Sequence, residues 1–284
     1  MTNILITGCN GFLGRELTEH FSDKGYKLFL ANRSNLDFCS LPSVSNFFIK
    51  NKVDVILHCA VKGGSRIRED AEQDFVDNIH MFDNLKRQKD RFKLLINFAS
   101  GAEFNRALSI ENLKESELST RFPVDYYGMS KRIVAKNVLR NENMVNLRLF
   151  GCFGPKENST RLVKTAITRC LKSQQMVIEE DKKMDYFYVG DLCKVVEVYI
   201  NNFETKELPT DVNMCYNGPK KTLKDVAELV YAQKNMTGQV IVKSSKMGKS
   251  YTGSGSVLHQ IVKENNITLD GLQTGIEKTF MELV

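Results

Sequence analysis

In the stretch PVDYYGMSKR, residues 123–132, Tyr127 and Lys131 stand four positions apart behind a proline. On a helix that interval puts both side chains on one face, about 5–6 Å apart at their Cβ atoms. A phenol in water ionises near about pH 10 and relays protons poorly at neutrality, but a neighbouring cation favours the phenolate. The pair therefore suits acid–base chemistry. Spacing alone does not establish it, because Tyr216 and Lys220 repeat the interval in CYNGPK, where Gly218 and Pro219 forbid a helix.

A second chemical signal lies at the start of the chain. ILITGCNGFLGREL (4–17) reads as a strand, then Gly8, Gly11 and Gly14 at three-residue spacing, then a helix. Glycine is required where a turn is tight, where backbone approaches a pyrophosphate and where helix packs on strand; the helix N-terminus adds free N–H groups and a positive dipole end. Asn10, Phe12 and Leu13, within the same turn, are expected among the cofactor-binding residues. At the end of the next strand, in LANRSNLD (30–37), an acidic residue would select the ribose 2′-hydroxyl of NAD and an arginine the 2′-phosphate of NADP. Asn32 and Arg33 occupy that place and Asp37 comes too late, which favours NADP(H) over NAD(H).

These residues need a frame. NILIT (3–7), KLFLA (27–31), VDVILHCA (53–60), KLLINFA (93–99) and VNLRLF (145–150) read as strands. Helical patterns run to about 24, over about 40–51, 70–89 and 125–140. Strands apolar on both faces and alternating with helices predict an α/β fold with a doubly wound parallel sheet. After Phe150 the pattern loosens: helices near 161–173, from Asp191, and near 222–235, 255–265 and 271–283, with a strand-like DYFYV at 185–189. The expected division is a nucleotide-binding domain over 1–150, rejoined by about 185–217, and a smaller α/β substrate-binding lobe from 151–184 and 218–284.

The 284 residues suffice for a large core, with 42% hydrophobic and 26% charged residues. Forty basic against 34 acidic residues leave +6, spread without a polybasic tract, so a nucleic-acid partner is not expected. Absence of a long apolar run and of a signal-peptide layout leads us to expect a soluble cytoplasmic protein without a membrane partner. Seven scattered cysteines, with no C-x-x-C and no paired histidines, argue against a metal site and for reduced thiols. His20, His80 and His259 read as packing or solvated residues.

Taken together the residues resemble the extended short-chain dehydrogenase/reductase family of sugar-nucleotide epimerases, dehydratases and reductases. The likeness rests on TGCNGFLG (7–14), HCA (58–60), Asn78 and Asn84 in DNIHMFDNL, Ser100 after the fourth strand, and YYGMSK. It extends through LRLFGCFGP (147–155), similar to R-P-x-N-x-x-G-P, and DYFYVGDL (185–192), similar to R-D-F-x-Y-V-x-D-L. The resemblance implies a Rossmann-type sheet in which Ser100 holds the substrate oxygen, Tyr127 exchanges its proton, and Lys131 serves both the phenol and the nicotinamide ribose. It implies further cofactor contacts at Cys59, Ala60, Val61, Asn78, Ala99, Leu149 and Gly151, and substrate contacts at Gly101, Ala102 and Arg161. Leu149 and Gly151 replace the family's Pro and Asn, and Met184 replaces an arginine, for which Lys182 or Lys183 is a substitute. Tyr126 and Ser130 are assigned packing roles. The resemblance also implies a homodimer paired through the helices near 70–89 and 125–140.

Dehydratases of the family resemble T-D-E-V-Y-G around the serine; Gly101 and Ala102 leave the elimination acid and base missing, and Glu103 is expected to face away on an extended segment. The branch most similar in look, of GDP-fucose synthase type, adds a cysteine two positions after the serine and a histidine beyond the G-P turn. Ala102 and the histidine-free KENSTRLVK hold those places. The reading is an NADPH-dependent reductase of a 4-keto sugar nucleotide, in deoxysugar or surface-polysaccharide biosynthesis. An NAD-dependent sugar-nucleotide 4-epimerase and a non-catalytic NADP-binding sensor remain the alternatives.

Overall fold

The computed structural model describes residues 1–64, 68–236 and 238–284. Its strands are β1 (Asn3–Thr7), β2 (Lys27–Ala31), β3 (Val55–His58), β4 (Leu94–Ser100), β5 (Ile110–Leu113), β6 (Met144–Leu149), β7 (Cys152–Phe153), β8 (Met176–Ile178), β9 (Phe187–Tyr188), β10 (Asp211–Asn213), β11 (Val240–Val242) and β12 (Tyr251–Gly253). The helices are α1 (Phe12–Ser22), α2 (Leu41–Lys50), α3 (Glu72–Lys86), α4 (Tyr126–Val138), α5 (Leu162–Leu171), α6 (Val189–Asn202), α7 (Leu223–Ala232), α8 (Ser256–Glu264) and α9 (Gly271–Met281).

Six strands form one sheet in the order β10-β6-β4-β3-β1-β2. β1 pairs in parallel with both β2 and β3, Ile4 lying beside Leu28 and Val55, and β3 pairs in parallel with β4. Every residue of β3 and β6 is buried, as befits strands covered on both faces, whereas edge strand β2 is partly exposed. Leu5, Ile56 and Leu95 of the sheet meet Phe48, Phe82 and Val138 of the covering helices in one apolar cluster. Each such side chain contributes about 1.5–3 kcal/mol on full burial.

The chain divides into two compact units. The first comprises Met1–Ala107, Ser116–Arg148 and Val196–Val212; the second comprises Leu108–Glu115, Leu149–Val195 and Asn213–Val284. The return to the first unit therefore begins inside α6 at Val196, later than the residue near 185 read from sequence, and 108–115 lies with the second unit because β5 pairs with β12. Within the second unit β8 pairs with β11 and β7 with β9. Here Tyr216 and Lys220 are not on a helix: the Tyr216 hydroxyl donates to Asp191 at 2.6 Å and Lys220 pairs with Asp185 at 2.9 Å. Among the described residues no helix is long and apolar enough to cross a membrane, and no cluster of three or more His, Cys, Asp or Glu is placed to hold a metal ion.

The mouth of the sheet is tied by His58. Its Nδ1 lies 3.0 Å from Thr7 Oγ1, which accepts the Ala60 N–H at 3.0 Å, so the ends of β1 and β3 are held together. Burial, reinforced by the nearby Lys131 ammonium, lowers the His58 pKa to about 3. The unfolded chain thus binds a proton, below about pH 6.5, that the folded chain refuses, and stability is lost as pH falls from there toward 3. Between pH 7.5 and 5 this amounts to about 2 kcal/mol. Urea unfolding of the parent and of His58→Gln at both pH values measures it: the variant is expected to lose less stability on acidification by roughly that amount, and equal losses would contradict the assignment.

Candidate active site

The glycine turn sits where β1 hands over to α1. Gly8 has φ +63°, and a Cβ there would come within 2.8 Å of Ala60 Cα. Gly11 N–H closes the turn onto Gly8 O at 2.9 Å, and Gly11 is the N-cap of α1. At Gly14 a Cβ would lie 2.3 Å from Gly8 O, so only glycine lets α1 approach β1 this closely. No side chain caps α1 and its first turn holds no acidic residue. Its N-terminal N–H groups and positive end are thus disposed toward an anion. Asn10 is exposed, Phe12 and Leu13 half-buried.

Two cations stand at the ends of the neighbouring strands. Arg33 is exposed just past β2, while Asn32 is engaged in its own turn, accepting from Ser34 N–H at 2.8 Å. Asp37 accepts from Cys39 N–H at 2.9 Å. Lys62, past β3, pairs with Asp77, whose hydrogen bond raises the lysine's pKa; Arg33 is near enough to oppose that rise. Asn78 clamps the same loop: its amide accepts from Lys62 N–H at 2.8 Å, donates to Lys62 O at 2.9 Å and reaches Ser130 Oγ at 3.2 Å. Cys59 and Ala60 are half-buried and Val61 exposed on this loop, which continues to Gly63 and Gly64, both at positive φ. A Cβ on Gly64 would come within 2.9 Å of the Tyr127 ring, so glycine there lets the loop lie on the tyrosine.

Helix α4 carries that tyrosine. Asp125 caps it, accepting Gly128 N–H at 2.8 Å. Tyr127 and Lys131 face the same side: the ammonium lies 5.8 Å from the ring centroid. Lys131 is buried and donates to Phe98 O of β4 at 2.8 Å. Ser130 is buried and donates to the Tyr127 carbonyl, and Tyr126 lies exposed against Phe75. Ser100 closes β4 just beyond buried Ala99; its Oγ accepts Ala102 N–H at 3.1 Å. The Ala102 carbonyl abuts α4 so closely that a Cβ on Gly128 would come within 2.5 Å of it. The serine turn and the tyrosine segment are therefore in contact.

Gly101 and Ala102 are buried, Ala102 fully. Glu103 does face away, but in a single turn of 3₁₀-helix instead of an extended segment, with its carboxylate on Arg148 at 2.8 Å. In the second unit, Leu149 is buried, Gly151 has Asp185 O where a Cβ would be, and Arg161 is the N-cap of α5 without a side-chain capping bond. Buried Met184 follows Lys183, which pairs with Glu111. Sequence reasoning missed Gly64, Lys62 and the seat of Glu103. The signals present were the double glycine of KGG and the S-x-x-E capping pattern at 100–103.

Comparison with known proteins places this geometry. The model of the NAD dependent epimerase/dehydratase family matches residues 4–215. A GDP-L-colitose synthase from Yersinia pseudotuberculosis is 20% identical over 236 residues, covering 74% of this chain and 75% of that protein. The solved GDP-mannoheptose C4 reductase from Campylobacter jejuni, with NADP bound, superposes with a TM-score of 0.80 at 20% identity over 99% of this chain and 98% of that one. A dTDP-glucose 4,6-dehydratase from Bacillus anthracis, in complex with NAD, reaches 0.77 at 14% identity over 99% and 96%. Reductase and dehydratase share the fold almost equally, so the fold does not choose between reactions. With residues 4–215, most of its length, matched by the family model, the chain belongs to the NAD-dependent epimerase/dehydratase family of extended short-chain dehydrogenase/reductases.

Proposed function

We propose that the protein is an NADPH-dependent reductase of a 4-keto sugar nucleotide. The observation that carries this reading is the joining of Ser100, Tyr127 and buried Lys131 with apolar, fully buried Ala102 where an epimerising branch needs a second acid–base group. The glycine cradle fits a dinucleotide pyrophosphate, since a side chain at Gly8 or Gly14 would fill it. Arg33, with Lys62 nearby, fits a 2′-phosphate. The names of relatives, GDP-L-colitose synthase and GDP-mannoheptose C4 reductase, favour a GDP-sugar.

When bound, the dihydronicotinamide supplies the hydride that adds to the carbonyl carbon. The chain's own part is the proton. Ala102 N–H occupies a lone pair of Ser100 Oγ, leaving the serine hydroxyl free to donate toward the ketone oxygen. Tyr127 gives that oxygen its proton, and the resulting phenolate is offset by Lys131, whose water-poor seat strengthens the attraction. With the side chain at 102 unable to move a proton at carbon, reduction proceeds without inversion at neighbouring centres. The exposed apolar Tyr126 and Ile133 on α4 support pairing of two copies through α3 and α4.

Three measurements follow. Tyr127→Phe lowers kcat by about 10²–10⁴-fold with the Kd for NADPH unchanged; parent-like turnover would remove the assigned acid. Reduction of a GDP-4-keto-6-deoxy sugar by NADPH in deuterated water leaves C3 and C5 free of deuterium, and label at either carbon would mean epimerisation. Arg33→Ala weakens NADPH at least about tenfold, one lost charge-assisted contact, and leaves NADH unchanged; equal weakening of both would refute the 2′-phosphate role.

A further inference from the structure

Behind Ser100 lies a group of charges that the reaction as described does not use. Glu103 is fully buried, and its two carboxylate oxygens take different partners: Oε1 accepts Ser100 N–H at 3.1 Å and Oε2 accepts Arg148 Nε at 2.8 Å. Arg148, on β6 and also fully buried, turns its Nη2 onto both carboxylate oxygens of Asp211 on β10, at 2.9 and 3.1 Å. Asn146 donates to Asp211 at 3.0 Å and accepts from Asn97 of β4 at 2.7 Å, closing the chain of contacts across three adjacent strands. The backbone of Glu103 is held from the other side: its carbonyl accepts from Arg132 Nη1 at 3.2 Å, and Arg132 follows Lys131 on α4.

Such a network is a poor device for stability. Desolvating its charges costs about as much as their attraction returns, and apolar replacements of equal volume are often no worse. Burial pushes the Glu103 carboxyl up against the pull of Arg148, while at Arg148 burial is outweighed by Glu103 and Asp211, which hold its pKa above the ordinary arginine range. Its location is informative. One carboxylate fixes the N–H of Ser100 and so the turn whose Ala102 N–H orients the serine hydroxyl. The same residue's carbonyl is tied to α4, which carries Tyr127 and Lys131.

We infer that Glu103, anchored by Arg148 and Asp211, is the positioning residue that registers the Ser100 hydroxyl against Tyr127. This rests on the reductase reading given above. Glutamine at 103 keeps the shape and can still accept from Ser100, but its amide then presents N–H groups to Arg148 Nε, so the turn must shift.

The test compares the parent, Glu103→Gln, Ser100→Ala and the double variant. Glu103→Gln is expected to lower kcat at least tenfold with the Kd for NADPH within twofold, because the glycine turn is untouched. In the Ser100→Ala background the same change is expected to have less than a twofold effect on kcat, since the positioned group is gone. A purely structural role would instead lower the unfolding temperature and leave kcat of the folded variant near the parent's, or lower kcat equally in both backgrounds; either result overturns the inference. If Glu103→Gln does not fold, Asp211→Asn, which loosens the anchor from its far end, is read by the same two-background comparison. If the parent itself turns over no keto sugar nucleotide, the reductase reading falls by that result alone. Amide exchange then decides the positioning: Glu103→Gln is expected to speed exchange over residues 100–104 at least tenfold and leave residues 8–14 unchanged, and unchanged exchange at 100–104 overturns it.

Discussion

The site depends on one buried ammonium. Removing a lysine from water is costly unless its donors are engaged and its charge is used. Lys131 is held by the Phe98 carbonyl at the end of β4, 5.8 Å from the Tyr127 ring centroid, and it adds to the burial that lowers the His58 pKa to about 3. His58 is bonded to Thr7, and that bond holds the strand ends from which the glycine turn and the loop after β3 depart. The same cation thus lies close both to the tyrosine proposed as the acid and to the histidine that ties the strand ends beside the glycine turn.

Around this centre the backbone supplies geometry where side chains would obstruct. Gly8 and Gly14 let strand, helix and the Cys59–Ala60 segment converge; Gly64 lets the following loop lie on the tyrosine; Gly128 lets the Ala102 carbonyl reach α4. These four positions turn a general α/β sheet into a site, because they bring the ends of β1, β3 and β4 and the start of α4 within contact of one another.

Much of this was legible in the sequence, for identifiable reasons. β1 and β2 have the bounds read from their apolar runs, and α4, Tyr126–Val138, falls within the helical pattern read over about 125–140. β10 was not legible: three residues carry no periodicity, and they form a strand only because β6 offers them an edge. The turn at 100–103 was misread as extended although Ser100 and Glu103 have the spacing of a reciprocal cap, a local signal that outweighed the continuation of β4. The side-chain amide of Asn78 bonds Lys62 N–H, Lys62 O and Ser130 Oγ, partners distant in sequence that no local pattern indicates. The second unit was the least legible, because short strands there are defined by pairing partners distant in sequence, as with β5 and β12.

In the proposed reaction Lys131 acts on the tyrosine's proton and does more than retain the cofactor. Single-turnover hydride transfer in Lys131→Met, with NADPH at saturation, measures this most directly. The expected rate is at least about 100-fold below the parent's, the scale of removing one preorganised charge from a transition state. A parent-like rate once the cofactor site is filled would contradict it.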